Sequence, residues 1–493
     1  MGATEQPRSS LRAPTFPRAD PLLLVGVAAL HLALFLVVFP AAADDGGLRG
    51  FINLAYQDSG RTLAGSVPYR DFLLEYPPGL LVFMVAPRLF AASQLAYRAP
   101  FFVETAALDL VILLALHGSA RAARLPVARA LGLYTLALVL LGPIAAYRLD
   151  LAPAALVAVA VLAWQRDRPT LAAIALAAGA ASKVYPLVFL PPLIADCWTR
   201  GRRREARGAA IAAILTFVAL LGPALIAGTG ALRHALRFQT GRHTEVEALW
   251  ATPPLLLRVV LGDPLAVRNV DRAFVILGPG DALGRLGTPV LALATLFVYG
   301  RWWRLRGHPD AETRTDMLLT GTAALALAAA VLSKVLSPQY LLWAAPPLAL
   351  LPARARGAAA ALIAFYLALP LTQWLFPAHF AELVAFLTPR TVAVLALRNL
   401  LLAVSIVALL AAVGRVGRMG REDCRSGSDG PSPTTDYPRS ARRGRARPSR
   451  VDTDRCRPRP ARGHGRSRAN GPIAGASGHG AGAAHRGLSV GRP

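Results

Sequence analysis

The sequence has few of the residues that build soluble enzymes, disulfide-rich domains or metal sites. Only 17% of its 493 residues are charged, whereas about 25% are charged in an average soluble chain. Three cysteines give no disulfide framework, and the histidines lack metal-ligand spacing. No glycine-rich phosphate loop, nucleophile elbow or zinc motif occurs. We therefore expect neither an ordinary soluble enzyme nor a cofactor, and we predict no divalent metal.

Long apolar runs are what the sequence has in abundance. Hydrophobic residues make up 54% of the chain, and long apolar runs recur along most of it. Such runs are typical of transmembrane helices. We predict an all-α polytopic membrane protein with 12 spans. The predicted spans are 21–39, 100–118, 130–147, 151–165, 170–184, 186–198, 208–228, 286–303, 316–333, 338–352, 357–376 and 391–413.

The placement of basic residues predicts the orientation, because short cytoplasmic loops are enriched in lysine and arginine. Every short loop on one side fits that rule when both termini are cytoplasmic and the protein lies in the plasma membrane. These loops contain Arg121, Arg124, Arg129, Arg166, Arg168, the run from Arg200 to Arg207, Arg301, Arg304, Arg306, Arg354 and Arg356. The apolar segment 77–92 does not fit this path as a span, so we predict a short helix at the outer surface. Two large outer loops follow, at about 40–99 and 229–285.

The net charge of +26 is partly concentrated at the C-terminal end. From Gly414 onward the chain has 18 arginines, six acidic residues and no apolar run, so this segment buries too little surface to fold. We predict a cytoplasmic N-terminus over 1–20, a transmembrane domain over 21–413 and a disordered Arg-rich cytoplasmic tail over 414–493. We favour a solvated low-complexity extension as the interpretation of this tail, with attraction to membrane lipids as the alternative, and we expect no nucleic-acid partner.

The first outer loop contains the first candidates for chemistry. Asp44 and Asp45 adjoin the end of the first span, where a like-charged neighbour and partial burial raise one carboxyl pKa toward that of a general base. The alternative interpretation is a polar stop that marks the end of the helix. Asp58, further along the loop, is another candidate for the base.

Two motifs follow in the same loop, Pro-Tyr-Arg-Asp-Phe and Glu-Tyr-Pro-Pro-Gly. The paired prolines fix the chain direction and hold the preceding glutamate and tyrosine at the membrane interface. We predict that both motifs contribute to substrate binding. The residues concerned are Tyr69, Arg70, Asp71, Glu75 and Tyr76.

Lysine gives the sharpest signal in the sequence. Of 54 basic residues only Lys183 and Lys334 are lysines, and both follow a serine and precede a valine at the outer end of a predicted span. A lysine is a compact point charge, so the pair predicts a phosphate site. The alternative is that both are anchors at helix ends, a role for which arginine would have served as well.

Further polar residues lie at the same predicted face. Asp150 and Arg148 fall in the turn between the third and fourth spans, and we predict them as a second site carboxylate and a phosphate ligand. Tyr185, Gln339 and Tyr340 lie close to the lysines and are suited to sugar hydroxyls. Within the membrane, Asp109 and Arg398 are costly charges, and we expect an ion pair, with each other as one option.

Five motifs in order along residues 20–413 resemble the GT-C membrane glycosyltransferases, and most closely glycosyltransferase family 87, the polyprenyl-phosphate-mannose-dependent mannosyltransferases. They are the acidic start of the first outer loop, Pro-Tyr-Arg-Asp-Phe with Glu-Tyr-Pro-Pro-Gly, Tyr-Arg-Leu-Asp-Leu-Ala-Pro, Ser-Lys-Val-Tyr-Pro-Leu, and Ser-Pro-Gln-Tyr-Leu-Leu-Trp. The stretch between the acidic start and the first motif is longer than the family pattern leads us to expect.

The resemblance implies an inverting transfer of a sugar, mannose by the habit of the family, from a polyprenyl phosphate to an acceptor hydroxyl outside the cytoplasm. An aspartate, Asp45 or Asp44, would deprotonate a glycolipid or glycan acceptor, and Lys183 and Lys334 would hold the departing phosphate. Two alternatives are a transporter or flippase of lipid-linked sugars, which would use the same lysines, and a membrane scaffold whose tail recruits a cytoplasmic partner.

Overall fold

A computed structural model describes residues 19–42, 47–226, 241–262, 264–270, 272–306, 308 and 310–417. The described chain is mostly helical. Its α-helices are α1 (Ala19–Ala33), α2 (Phe39–Ala42), α3 (Gly47–Leu63), α4 (Leu81–Arg88), α5 (Gln94–Ala122), α6 (Val127–Leu141), α7 (Leu151–Gln165), α8 (Pro169–Ser182), α9 (Leu190–Thr199), α10 (Arg203–Ile226), α11 (Thr252–Leu261), α12 (Gly287–Leu305), α13 (Ala311–Val331), α14 (Leu341–Ala349), α15 (Ala358–Gln373), α16 (Phe380–Phe386) and α17 (Pro389–Arg415).

Short 3-10 or π-helical turns extend or precede several of these helices. They are Leu34–Val38, Pro78–Leu80, Gly142–Ala145, Tyr185–Phe189, Leu249–Ala251, Pro279–Leu286, Pro338–Tyr340 and Trp374–Ala378.

Eight helices of the described chain are long and apolar enough to cross a membrane, in agreement with a multi-pass membrane protein. They are Pro21–Ala42, Gln94–Ala122, Val127–Ala145, Arg203–Gly222, Pro279–Leu305, Ala311–Val331, Ala358–Ala378 and Pro389–Arg415. The other four predicted spans fall on the shorter helices α7, α8, α9 and α14. Every predicted span therefore coincides with a helix, while the number of 12 crossings stays a prediction.

Alanine-rich helices form the centre of the bundle. In α13 every residue from Met317 to Val331 is buried, and α7 and α8 are buried along most of their length. Small side chains let helix backbones approach closely, so packing rather than bulky apolar contact stabilises this part of the bundle. Helix α7 packs between α5 and α8, and α8 also packs against α10. The N-terminus of α7 and the C-terminus of α8 consequently lie at the same end of the bundle.

The segment predicted to be the first outer loop contains two helices, α3 and α4, joined by an extended stretch and the Tyr-Pro-Pro-Gly turn. The predicted short helix at 77–92 corresponds to Pro78–Leu80 and α4. Gly79 fixes the position of the turn, because a Cβ at this residue would lie 2.6 Å from the carbonyl oxygen of Ala181 in α8. Only glycine permits so close an approach of two backbones.

The segment predicted to be the second outer loop contains an antiparallel β-hairpin, which the sequence did not predict. Strands β1 (Ala266–Val270) and β2 (Ala273–Leu277) pair in the register Ala266 to Leu277. The hairpin is small, but Val246 and Thr244 bond to the backbone of β2 and so hold the preceding loop in place. This loop carries residues of the candidate site.

Asp109 and Arg398 each have a partner, as expected, but they do not pair with each other. Asp109 accepts hydrogen bonds at 2.7 Å from Tyr134 and shares a 2.7 Å contact with His31. Arg398 lies 3.6 Å from a carboxylate oxygen of Glu247. Each buried charge therefore contacts a residue of another helix or loop, which offsets part of the cost of removing the charge from water.

Three predictions fall on residues that the structure does not describe. Asp44 and Asp45 lie outside the described residues, as does the tail from residue 418 onward. The N-terminal residues 1–18 are likewise outside them.

Candidate active site

Lys183 and Asp150 form the centre of the candidate site. The ammonium nitrogen of Lys183 lies 3.4 Å from Oδ1 of Asp150, and both side chains are largely buried. Asp150 immediately precedes α7, and Lys183 directly follows α8, where its extended backbone ends the helix. The packing of α7 against α8 therefore brings together two residues that are 33 positions apart in the chain.

Aromatic rings surround the ammonium of Lys183. Its nitrogen lies 4.5 Å from the ring centroid of Tyr340, 4.7 Å from that of Tyr76 and 5.5 Å from that of Trp343. The indole of Trp343 is stacked between Tyr185, at 4.3 Å, and Tyr340, at 4.1 Å. Ring faces attract a cation, so these three rings stabilise the buried ammonium.

Trp343 also fixes the carboxylate. Its indole N–H donates a 2.9 Å hydrogen bond to Oδ1 of Asp150, the oxygen that faces Lys183. A single carboxylate oxygen thus meets a cation and a neutral donor at once. Such a buried group is satisfied and held in one orientation.

The Tyr-Pro-Pro-Gly turn brings Tyr76 into this cluster. The turn lies against the last residues of α8 because Gly79 allows contact with Ala181, two positions before Lys183. The hydroxyl of Tyr69 donates to the carbonyl oxygen of Tyr76, which ties the first loop motif to the second. Both predicted motifs therefore contribute to the same part of the structure.

Arg148 lies next to the site but bonds to backbone. Its guanidinium donates at 3.1 Å to the carbonyl oxygens of Gly47 and Leu48, at the start of α3. It also lies over the rings of Phe51 and Phe376, at 5.3 and 5.6 Å. The side chain thereby joins the turn that holds Asp150 to the first turn of α3. Its predicted role as a phosphate ligand stays a prediction.

A charged cluster from both outer loops lies beside the lysine. Arg242 is 3.1 Å from the carboxylate of Glu245. Burial raises the pKa of Glu75 above its usual value, although Arg242, Arg272 and Lys183 oppose the rise. Burial also raises the pKa of Glu245, against the effect of Arg242 and Lys183. Both carboxyl groups thus lie within electrostatic reach of Lys183.

Lys334 lies in a second group of charges at the same end of the bundle. The backbone N–H of Glu245 donates a 3.0 Å hydrogen bond to its carbonyl oxygen. Burial lowers the pKa of the Lys334 ammonium, Asp281 opposes this, and the cations Arg242 and Arg285 lower it further. The loop that carries Arg242 and Glu245 therefore connects the surroundings of the two lysines.

The remaining predicted residues are placed less centrally. Arg70 and Asp71 pair with each other at 2.8 Å on the exposed part of the loop, which lowers the pKa of Asp71 to about 2. The amide oxygen of Gln339, a buried residue, accepts from the hydroxyl of Ser337 at 2.8 Å. Asp58 is buried in α3, 3.6 Å from Arg61, and burial raises its pKa.

The described residues contain no group of three or more His, Cys, Asp or Glu side chains that could hold a metal ion.

The family of the chain follows from its sequence over the same region. The model of glycosyltransferase family 87 matches residues 72–338, more than half of the chain and most of the site just described. The chain belongs to glycosyltransferase family 87. The resemblance seen in the motifs is thereby confirmed, and the protein is a GT-C type membrane glycosyltransferase.

The fold of this family 87 member is similar to that of one solved membrane protein. The structure of ArnT from Cupriavidus metallidurans in the apo state aligns with 81% of this chain and 78% of its own, at 16% identity and a TM-score of 0.39. No curated protein matches the sequence.

Sequence reasoning on this family 87 protein missed three site residues. Trp343 ends one of the quoted motifs but had no assigned role, although an indole three positions after Tyr340 on the same helical face can form a wall beside a cation. Arg242 and Glu245 lie in the second outer loop, where opposite charges three positions apart were the available signal. Their contact with the first loop depends on the hairpin, which the sequence reading did not predict.

Proposed function

We propose that this glycosyltransferase transfers mannose from a polyprenyl phosphate to an acceptor hydroxyl, with inversion, on the extracytoplasmic face of the plasma membrane. The acceptor would be a glycolipid or a glycan. The observation that supports this best is the buried Lys183 ammonium, held by Asp150 and three ring faces beside further cations. A reaction that releases a lipid phosphate needs fixed positive charge where the leaving group gains its negative charge.

We assign the donor phosphate to the region between the two lysines. Lys183 and Lys334 are the primary candidates, and Arg242 joins them because it acts electrostatically on both Glu75 and Lys334. Burial strengthens the attraction between these cations and a phosphate, because little water is left to screen them. A polyprenyl phosphate supplies its own leaving group, so this reaction requires no nucleotide site.

The sugar would lie against the aromatic and carboxylate side chains. Tyrosine and tryptophan faces pack against the apolar face of a sugar ring, and carboxylates accept hydrogen bonds from its hydroxyls. Tyr76 and Tyr340 supply the rings, and Glu75 and Glu245 supply carboxylates. The neutral amide of Gln339 adds a donor and an acceptor.

The general base would be an aspartate that removes the proton from the acceptor hydroxyl. Asp45 is our first candidate, with Asp44 and Asp58 as alternatives. The support is the position of α3 in the chain: its first residue, Gly47, comes two positions after Asp45 and bonds to Arg148, the neighbour of the Asp150 turn. A base close to that turn would act on a hydroxyl that approaches the bound donor.

Single substitutions test the base and the donor together. Membranes that contain the wild-type chain should transfer labelled mannose from polyprenyl-phosphate mannose to endogenous lipid, and Asp45→Asn should abolish this while protein levels stay unchanged. Asp44→Asn and Asp58→Asn serve as matched variants, since each removes one carboxylate charge. The substitution that alone abolishes transfer identifies the base, and full activity of all three variants overturns the aspartate mechanism. If the wild-type chain does not transfer mannose but does transfer another sugar from its polyprenyl phosphate, the choice of sugar is overturned.

A further inference from the structure

A large cavity lies at the opposite end of the helices from Lys183. It has a volume of about 620 Å³ and is bounded by the end of α7, α9, the second half of α12 and the start of α13. Helix α7 begins beside Asp150 and reaches this cavity with Trp164 and Gln165, after 15 residues. At about 1.5 Å rise per residue, the end of the cavity at Trp164 and Gln165 is roughly 20 Å from Asp150, and the lining includes none of the residues of the candidate active site. It is therefore a separate site.

The walls of the cavity are mainly apolar and aromatic. Trp164 and Trp302 stack at 5.8 Å between centroids, and Met317 and Leu318 also line the cavity. Leu296 lines the cavity and is 63% exposed on α12, so the cavity opens on the outer surface of a membrane-spanning helix. A volume within the usual range of about 300–1,000 Å³ for ligand sites suits an acyl chain.

Charged residues lie only at one end of this cavity. The lining contains Arg200, Arg306 and Arg314 against two acids, Asp167 and Asp196. Arg200 already pairs with Asp196 at 3.0 Å. This end belongs to the arginine-rich loops that the sequence predicts to be cytoplasmic. The site therefore combines an apolar slot with a net positive mouth.

We propose that this cavity binds an anionic phospholipid, with an acyl chain between α9 and α12 and the headgroup phosphate at Arg306 and Arg314. Arginine hydrogen bonds phosphate through a planar fork, and tryptophans such as Trp302 favour the interface where headgroups lie. The tail of this chain is a poorer occupant, because from Gly414 it has 18 arginines and six acids and would be repelled by the mouth. A bilayer lipid meets both the apolar and the charge requirement.

The test measures lipid binding to the full-length protein in neutral detergent by native mass spectrometry. Phosphatidylglycerol and phosphatidylcholine with identical chains are titrated separately. Phosphatidylglycerol should bind about tenfold more tightly, because both lipids carry a phosphate but only phosphatidylcholine adds a choline cation, which the arginines at the mouth repel. Arg306→Gln/Arg314→Gln should reduce its affinity to that of phosphatidylcholine, whereas the exposed pair Arg204→Gln/Arg207→Gln on the same side should leave it within about twofold.

Glycine offers a matched pair of variants that test the apolar slot. Gly300 lines the cavity, and a Cβ there meets no atom within 4 Å, so Gly300→Leu adds a side chain without a backbone clash. This variant should lose phosphatidylglycerol binding. Gly132→Leu, an equally open position in α6 away from the cavity, should retain it.

Three outcomes would overturn the site. Equal affinity for both lipids in the wild-type chain contradicts an anionic headgroup site. Undiminished phosphatidylglycerol binding in Gly300→Leu places the lipid on surface arginines instead. An unchanged affinity in Arg306→Gln/Arg314→Gln would show that these arginines do not bind the phosphate. This variant leaves the apolar wall of the cavity intact, so its result is decisive even if Gly300→Leu is unstable.

Discussion

Asp150 receives the ammonium of Lys183 at 3.4 Å and the indole N–H of Trp343 at 2.9 Å on the same carboxylate oxygen. This arrangement joins three segments, the start of α7, the end of α8 and the first turn of α14. A cation and a neutral donor on one oxygen hold both partners in defined positions. The lysine is therefore oriented before any donor phosphate arrives, which reduces the reorganisation needed during reaction.

The Lys183 and Asp150 pair should show strong energetic coupling. Asp150→Asn leaves a buried ammonium without its carboxylate, and removal of one partner of a buried pair costs about 3–5 kcal/mol. The double variant Asp150→Asn/Lys183→Gln removes both charges and should cost less than the sum of the two single changes, by about 1–3 kcal/mol. Unfolding of the purified protein in detergent measures all four states.

A matched pair on the protein surface serves as the control for that cycle. Arg70 and Asp71 are exposed and adjacent, so Arg70→Gln/Asp71→Asn should show coupling below about 1 kcal/mol. Additive effects of the Asp150 and Lys183 substitutions would mean that the two charges do not depend on each other.

Trp343→Phe should separate the hydrogen bond of the indole from its ring faces. Phenylalanine keeps an aromatic ring between Tyr185 and Tyr340 but cannot donate to Asp150. Loss of this bond to a charged group should cost about 1.5–3 kcal/mol of stability and lower kcat for sugar transfer. Trp198→Phe, at a tryptophan that is 48% exposed, should change neither quantity. An unaltered kcat in Trp343→Phe would show that orientation of Asp150 by the indole does not matter for turnover.

Gly79→Ala should detach the first outer loop from the lysine. The added Cβ would lie 2.6 Å from the carbonyl oxygen of Ala181, a backbone atom that cannot move without distorting α8. We expect a loss of about 2 kcal/mol or more in stability and at least a tenfold loss of transfer, because Tyr76 would move away from Lys183. Thermal unfolding and labelled-sugar transfer measure the two effects.

Gly60→Ala is the control for this substitution. Its Cβ would meet only the flexible side chain of Arg88, at 3.9 Å, and alanine favours helix over glycine by about 1 kcal/mol. This variant should be at least as stable as the wild type. A Gly79→Ala protein with wild-type transfer would contradict the placement of the turn.

The sequence predicted the helices and the residue types of the site, but not their mutual arrangement. Long apolar runs are typical of helices, and each of the 12 predicted spans coincides with one. Lys183 was recognised as a candidate because lysine is rare in this sequence, and Asp150 because it is a charged residue at the end of a predicted span. Their contact depends on how α7 packs against α8, and small alanine side chains give that packing no sequence period to recognise.

Long-range contacts were the harder part. Trp343 meets Asp150 across 193 positions, and no local pattern encodes such a distance. The sequence left the partners of Asp109 and Arg398 open for the same reason: each residue needed a partner, which is His31 for Asp109 and Glu247 for Arg398. The hairpin was missed because its strands are five residues each, too short to separate from a loop by alternation alone.

Lys334 should give the transfer reaction a pH dependence that arginine removes. Burial, Arg242 and Arg285 lower the pKa of the Lys334 ammonium below that of an ordinary lysine, although Asp281 opposes the shift. As pH rises through this lowered pKa, the ammonium loses its charge and its attraction for a donor phosphate. The donor KM of the wild-type chain should therefore rise at alkaline pH, below the usual lysine pKa of about 10.4.

Lys334→Arg keeps a positive charge throughout this range and should show a flat donor KM, and Lys334→Met should show a high KM at every pH. Steady-state kinetics with varied donor at several pH values measure the three profiles. The same alkaline rise in Lys334→Arg as in the wild type would assign the titration to another group and remove Lys334 from the phosphate site.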